Sequence, residues 1–399
     1  MITPAYSPTA TERVLPRMAL DFTTGVLDSR VTVTRALNTA TRINSSGIVE
    51  TVNANLPRFD YDSVTLLPKG LLIEEARTNL QTYSAGAFNT QYTKAGSPTV
   101  SDNSASGIGG PLTASAVTGA AVGDYIYRDA TTVITTQYTR SIYVSNVNAT
   151  QSRLVVRSSL SACDVYLNWS GATLSSLSVS AGAASFVDCG NGVYRVILVY
   201  TALEVIDRLR ITPNALTGSA TINIYGTQLE AGAFATSYIP TTTTSLTRNA
   251  DVVSMTGANF SSWYNATSGA ILARSRQSVI TGTRPSIYIS DGTADNIISL
   301  RGLAANPELY IKATTDQAQI DAGTLTANSS FGLVGAWTTD NCAAAINGGA
   351  AVTDTSATIP TVDRMLIGSD GTNYLNGQVE RISYWPQRII NAEAQAFSK

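Results

Sequence analysis

Short runs in which apolar and polar residues alternate, each closed by Gly, Asn, Asp or Pro, recur along most of this chain. A period of two puts successive side chains on opposite faces of a strand, and closely spaced breakers make the chain reverse. The pattern therefore predicts an all-β fold of antiparallel sheets. Between residues 86 and 245 the runs include Asp124-Tyr-Ile-Tyr, Tyr138-Thr-Arg-Ser-Ile-Tyr-Val, Arg153-Leu-Val-Val-Arg, Asp164-Val-Tyr-Leu-Asn-Trp, Val193-Tyr-Arg-Val-Ile-Leu-Val-Tyr and Thr221-Ile-Asn-Ile-Tyr. Strands of this number and spacing predict a β-sandwich of jelly-roll kind. Pro240 and the threonines 241–244 read as a polar linker. Residues 250–399 carry a second series, from Gly269-Ala-Ile-Leu-Ala-Arg to Gln378-Val-Glu-Arg-Ile-Ser-Tyr-Trp, and predict a second antiparallel sandwich. Only the tail reads as helix, with Asn391 as N-cap and Glu393 in the first turn, where the helix dipole favours an acid. Residues 1–85 are less regular and more densely charged, and are expected to form a separate N-terminal segment.

Composition narrows the chemistry. The 399 residues contain no histidine, which excludes the Ser-His-Asp triad, the Cys-His pair and imidazole-bearing zinc sites. Only 14% of the chain is charged, against ~25% in an ordinary soluble protein. With 26 Lys+Arg against 28 Asp+Glu there is no basic field for nucleic acid or an anionic membrane. Three cysteines without a CxxC spacing suit neither a disulfide framework nor a zinc cluster. They are expected as buried thiols, with a Cys163 to Cys189 bridge as the alternative. The N-terminus lacks the basic and apolar regions of a secretory signal, and no apolar run is long enough to span a membrane. A composition rich in Thr, Ser, Ala, Asn and Gly, and poor in charge, is nevertheless that of β proteins working outside a cell.

Two sets of motifs then stand out. Leu20-Asp-Phe-Thr-Thr-Gly, Pro57-Arg-Phe-Asp-Tyr-Asp, Lys69-Gly-Leu-Leu-Ile-Glu-Glu-Ala-Arg-Thr-Asn-Leu80, Gly190-Asn-Gly-Val-Tyr-Arg195 and Tyr225-Gly-Thr-Gln-Leu-Glu-Ala-Gly-Ala-Phe-Ala-Thr-Ser-Tyr-Ile-Pro240 form the first. Together they resemble the head spike and tail fibre proteins of tailed bacteriophages, which carry a carbohydrate-binding sandwich. Val379-Glu-Arg-Ile-Ser-Tyr-Trp-Pro-Gln-Arg-Ile-Ile-Asn-Ala-Glu-Ala-Gln, preceded by Ala345-Ile-Asn-Gly-Gly and Leu366-Ile-Gly, resembles the closing strand and helix of laminin-G-like, concanavalin-like sandwiches. The resemblance implies a non-enzymatic virion protein, assembled in the host cytoplasm and usually trimeric. Its N-terminal part (1–85) would dock on capsid or tail proteins, and its sandwiches (86–245 and 250–399) would meet host surface polysaccharide, with no cofactor or metal.

Neutral sugars are held by aromatic rings against their apolar faces, with amide, hydroxyl and carboxylate groups satisfying their hydroxyls. The chain has 18 Tyr and 4 Trp to offer. Strand parity places Val165, Leu167 and Trp169 on one face, read as core, and Tyr166 and Asn168 on the other. Tyr125 and Tyr127 stand opposite Ile126 in the same way, and Asn223 and Tyr225 opposite Ile222 and Ile224. These six are the carbohydrate-binding candidates, and they also suit a solvated outer sheet or a subunit contact. Trp263, Tyr264, Trp337 and Trp385 are read first as packing. Asp291-Gly-Thr-Ala-Asp295 and Asp370-Gly-Thr-Asn373 offer oxygens to calcium, but Asp-Gly turn chemistry accounts for both. Docking candidates are Arg13, Arg17, Asp21, Arg30, Arg35 and Arg58, set among Arg42, Asp28, Asp60 and Asp62, with a solvated surface as the alternative. A carboxylate-dependent polysaccharide depolymerase is the rival function, with Asp124, Asp164, Asp188 and Glu230 as its acids. A purely structural capsid decoration is the third reading.

Overall fold

The computed structural model describes residues 15–399 apart from 38–39, 110–111, 158 and 217, and omits the side chains of 105–107. Contacts divide the chain into two compact units, Val33–Asp251 and a second built from residues up to 32 with Val252–Lys399. Residues 33–85 thus share a unit with the middle sandwich.

The Val33–Asp251 unit is built on β1 (Thr93–Ala95), β2 (Thr99–Gly109), β3 (Leu112–Gly119), β4 (Tyr125–Thr131), β5 (Gln137–Asn146), β6 (Gln151–Arg157), β7 (Ser161–Ser170), β8 (Thr173–Ala181), β9 (Ala183–Asp188), β10 (Val193–Thr201), β11 (Ile206–Thr212) and β12 (Ala220–Ala231). One sheet runs β9-β10-β5-β12-β3-β2 and the other β8-β7-β6-β11-β4-β1, with all paired neighbours described antiparallel. The apolar alternation explains the sandwich. Ile126, Leu154, Val165 and Ile211 from the second sheet meet Val117, Ile142, Val196 and Ile222 from the first in one core. Trp169 joins this core and donates its indole N–H to Ser152 Oγ at 3.0 Å, so its polar edge is satisfied inside.

The two outer faces differ. On β5 every residue from Tyr138 to Ser145 is buried, whereas on β4 only Ile126 is. The first sheet is covered on its outer side by a second apolar layer. Val49 from the hairpin Ala40–Ile43/Val49–Val52, with Tyr238, packs on Tyr143, Val193 and Tyr225. The second sheet has no such cover among the described residues of β4. Thr241, read as part of a linker, is instead stitched to the chain ahead of the sandwich: its N–H donates to Ser84 Oγ at 2.8 Å, and Tyr83 N–H donates to Thr242 O at 2.6 Å.

Charge holds this layer in place. Arg58 donates to Glu74 Oε2 at 2.7 Å and pairs with Asp251, while Arg35 reaches the same Asp251 at 2.8 Å and Arg248 reaches Glu74 at 2.9 Å. All five side chains are essentially buried. Glu230, also buried, accepts from Thr236 N at 3.0 Å, and Arg248 donates to Thr236 Oγ1 at 3.1 Å. Three cations thus face three carboxylates. Burial alone would raise the Glu74 carboxyl, but Arg248 and Arg58 outweigh it and hold it at about 2. Arg35 and Arg58, expected as contacts to another protein, therefore serve inside this unit. The first set of sequence motifs meets here as well. Asn79 Nδ2 donates to Ile239 O at 2.8 Å, and Asn79 Oδ1 accepts from Leu229 N at 3.0 Å. Ile239 N–H donates to Gln228 Oε1 at 2.7 Å.

The second unit packs two further antiparallel sheets. One runs β13 (Val252–Thr256), β22 (Arg364–Ile367), β15 (Thr283–Ser290), β16 (Asn296–Leu303), β17 (Asn306–Ala313), β18 (Thr315–Asp321). The other runs β21 (Val352–Asp354), β20 (Cys342–Ile346), β19 (Ser330–Thr338), β14 (Ser268–Gln277), β23 (Gly377–Trp385), with the strand Met18–Asp21 paired to β23. A Cβ at Gly335 on β19 would lie 2.8 Å from Leu300 and 2.9 Å from Leu309, so the sheets meet closely there. Helix α1 (Asn391–Phe397) lies on the β14–β19 sheet through Ile389 and Ala394, and Phe397 stacks on Trp385 at 4.8 Å. Ile390, not Asn391, is the N-cap, and Glu393 reaches back to Ile390 N–H at 3.1 Å. Trp263, Trp337 and Trp385 are all buried, in keeping with packing.

All three cysteines are free, so the alternative Cys163 to Cys189 bridge is not formed. Burial pushes Cys163 up to about 12 and Cys189 and Cys342 to about 11, which leaves them as unreactive thiols near neutral pH.

Candidate functional site

The open outer face of the β8-β7-β6-β11-β4-β1 sheet gathers four of the six aromatic and amide candidates. Register sets this out. Tyr127 on β4 lies opposite Arg210 on β11, Arg210 opposite Val155 on β6, and Val155 opposite Asp164 on β7. The next row runs Thr212, Arg153, Tyr166, Ser178, and beyond it Gln151, Asn168, Ser176. Because side chains alternate, all of these point to the same side, away from the core residues Ile126, Leu154, Val165 and Ile211.

Tyrosines and arginines interleave on this face. Arg153 lies over Tyr166 at 4.9 Å, Arg208 over Tyr127 at 4.2 Å and Arg210 over Tyr125 at 5.2 Å, measured to the ring centroids. The two β4 rings are 6.0 Å apart. Two of the arginines are anchored. Arg153 grips Asp164 through Nε at 2.8 Å and through Nη2 at 2.5 Å, and Arg208 holds Asp129 at 2.7 and 2.8 Å. A cavity of about 180 Å³ opens between Tyr125 and Tyr166, bordered by Arg153, Arg157, Arg210 and Thr212. Such a surface offers apolar ring faces framed by rigidly held N–H donors. Asn168 is less available. Its Oδ1 accepts from Gln151 at 2.8 Å, and its Nδ2 lies 3.0 Å from Ser178 Oγ.

Asn223 and Tyr225 belong elsewhere. They lie on the outer side of the opposite sheet, where the second layer covers Tyr225 and Asn223 is half-buried. Tyr225 is 5% exposed and its hydroxyl is 3.0 Å from Ser145 Oγ, while Asn223 Nδ2 donates to the same oxygen at 3.3 Å. Strand parity was right for this pair, but its outer face is a second core, so Tyr225 presents no ring to a ligand.

The remaining candidates separate by burial. Arg17 is exposed and donates to Ser262 O at 3.0 Å. Asp21 caps a 3-10 turn through Thr23 N–H and accepts from Arg381 at 2.7 Å, and Arg30 pairs with Asp28 at 2.7 Å. Arg13 lies outside the described residues. A cavity of about 260 Å³ borders Asp21 and Asp28, but its one aromatic, Phe22, is buried. The four acids shortlisted for hydrolysis are all engaged. Asp124 accepts from the backbone N–H groups of Ala120, Ala121 and Ser97, Asp188 from Gly190, Asp164 from Arg153 and Glu230 from Thr236. Asp291 and Asp370 are turn acceptors, for Thr293 N–H at 2.9 Å and Asn373 N–H at 2.7 Å respectively.

The arginines are what sequence reading missed. Arg153 and Arg157 are four apart on one strand and Arg208 and Arg210 two apart on another, so each pair shares a face. That much was visible; the pairing of β6 with β11 that unites them was not.

No protein-family model matches the sequence, and no curated protein matches it. Among solved structures, the CBM40 of the Ruminococcus gnavus IT-sialidase, bound to alpha2,3 sialyllactose, aligns with 34% of this chain and 84% of its own at 14% identity, with a TM-score of 0.30. The NanB sialidase from Streptococcus pneumoniae aligns over 37% of this chain at 14% identity and a TM-score of 0.32; the aligned part is 26% of NanB. A SAP-like pentraxin from Limulus polyphemus aligns over 34% of this chain and 70% of its own at 11% identity and a TM-score of 0.27.

Proposed function

We propose that the Val33–Asp251 unit is a glycan-binding module whose ligand lies on the open face between Tyr125 and Tyr166. The observation that carries this is the convergence of two ring faces and three guanidinium groups on one solvent-facing cavity. The opposite sheet, otherwise alike, is sealed by its own chain. At about 180 Å³ the cavity is smaller than the ~300 Å³ at which small-molecule sites usually begin, so it takes a terminal sugar or side branch and binds it weakly. Multivalent display converts such contacts into firm adhesion.

The resemblance of the motifs to bacteriophage fibres supplies that display. In this reading the protein is a non-enzymatic virion appendage, a homotrimer attached to capsid or tail, that adheres to host surface polysaccharide. Arg17, Asp21 and Arg30 are the docking candidates still at the surface. The engagement of Asp124, Asp164, Asp188 and Glu230 by structural partners favours binding over hydrolysis.

Retention of the purified full-length protein on host cells tests the module. Tyr125→Ala with Tyr166→Ala is expected to abolish retention while leaving the fold intact by circular dichroism. Undiminished retention in that double variant would rule out this face, and shortening of the polysaccharide on incubation would restore the depolymerase reading.

A further inference from the structure

Neutral sugars need no cations, yet the cavity is bordered by Arg153, Arg157 and Arg210 and by no carboxylate among the described residues. Asp164 stands behind Arg153 and neutralises that charge, while Arg157 brings its own to the opening. In a chain with a net charge of −2 this is a local reversal. The arrangement is also oriented. Asp164 occupies the Nε and Nη2 edge of Arg153, so the Nη1 edge is the one not committed to it. Arg157 has Nε on the Ser159 carbonyl at 3.3 Å and no carboxylate partner among the described residues. Tyr125 backs Arg210 and Tyr166 backs Arg153, which fixes the planes of both guanidinium groups before a ligand arrives.

We infer that the saccharide recognised here is acidic, with an oxyanion held by Arg153, Arg157 and Arg210 while its ring rests against Tyr125 and Tyr166. This rests on the glycan-binding reading of the same face. Planar guanidinium donors match the two oxygens of a carboxylate, and they also take phosphate, so the shared chemistry is an oxyanion on a sugar polymer. Thr212, on the border of the cavity, is placed to meet a neighbouring hydroxyl.

Affinity electrophoresis of the full-length protein through gels holding polygalacturonate, poly(glycerol phosphate) or dextran decides it. Retardation by polygalacturonate, absent with dextran and weakened by salt, is the expected result. Arg157→Gln and Arg210→Gln should each weaken binding about tenfold, the scale of one lost charge-assisted contact, while Lys312→Gln on the other unit changes nothing. Retardation by poly(glycerol phosphate) alone, with the same arginine dependence, supports the oxyanion and assigns it to phosphate. Equal retardation by dextran, lost in Tyr125→Ala but unchanged in the arginine variants, overturns the acidic ligand and leaves the glycan module standing. If no polymer retards the protein and host cells do not retain it, the glycan reading itself fails.

Discussion

Replacing Arg58 by Met tests whether the second layer of the Val33–Asp251 unit is locked by charge. Arg58 is fully buried and bridges Glu74 and Asp251, so the substitution leaves two buried carboxylates short of a cation while keeping most of the side-chain volume. Breaking a buried pair from one side costs about 3–5 kcal/mol, because the remaining charge keeps its desolvation penalty. For a unit of this size each kcal/mol moves the midpoint by about 2–4 °C, so a drop of roughly 6–20 °C is expected. Calorimetry on the full-length protein reads it, with Arg30→Met as control. Arg30 and Asp28 are each about 30% exposed, and such a pair contributes about 1 kcal/mol or less. A second signature follows from Glu74, whose carboxyl is held at about 2 against an ordinary 4.5. A depressed carboxylate contributes stability that is complete above about 4.5 and is lost as pH falls through about 2, on the order of 3 kcal/mol in all. Arg58→Met removes the largest lowering influence on Glu74 after Arg248, so part of that term is already gone and the gap between the two proteins should narrow as pH falls from about 4.5 toward 2. A midpoint within 2 °C of the parent at pH 7, or a gap that stays constant into acid, would refute the electrostatic lock.

Three further outcomes are expected. Asp207→Asn strands the buried Arg140, which donates to Asp207 at 2.7 Å, and should destabilise the same unit by about 3–5 kcal/mol in urea unfolding. Gly335→Ala pushes a methyl against Leu300 and Leu309 and should cost the other unit about 1–3 kcal/mol, read as a lower urea midpoint at unchanged slope. Trp385→Ala removes the ring on which Phe397 stacks and should cost about 3–5 kcal/mol. Helix α1, too short to persist without packing, should then lose hydrogen-exchange protection over Asn391–Phe397.

Alternation in the sequence was enough to find β4, β5, β6, β7, β10 and part of β12, and parity correctly sent Trp169 inward and Tyr166 outward. It missed β1, β2, β3, β8, β9 and β11; β8 and β9 are largely exposed, and serines break the alternation of β8, where Leu174 alone is fully buried. It also placed only the start of β12, which runs on from Thr221-Ile-Asn-Ile-Tyr to Ala231. Parity says which residues share a face but not what covers that face. Tyr125 and Tyr225 look alike in sequence, and one borders an open cavity while the other lies under Tyr238 and Val49. Arg35 and Arg58, read as docking contacts, lie inside the unit for the same reason. Arg58 meets Asp251 across 193 residues, a distance at which no local pattern announces a partner.

The charge arithmetic shows the same gap between whole chain and site. A net charge of −2 argues soundly against a long-range field, because that field depends on the sum. At physiological salt, exposed charges are screened beyond ~8 Å, so a ligand in a cavity responds to the few groups that border it. Most of the chain's charge lies apart from the opening: in the buried cluster of Arg35, Arg58, Arg248, Glu74, Asp251 and Glu230, or in surface pairs such as Arg30 with Asp28. The residues that border this opening are therefore the exceptions to the average. They become visible only when the register of β4, β11, β6 and β7 brings Tyr125, Arg210, Arg153 and Tyr166 to one opening.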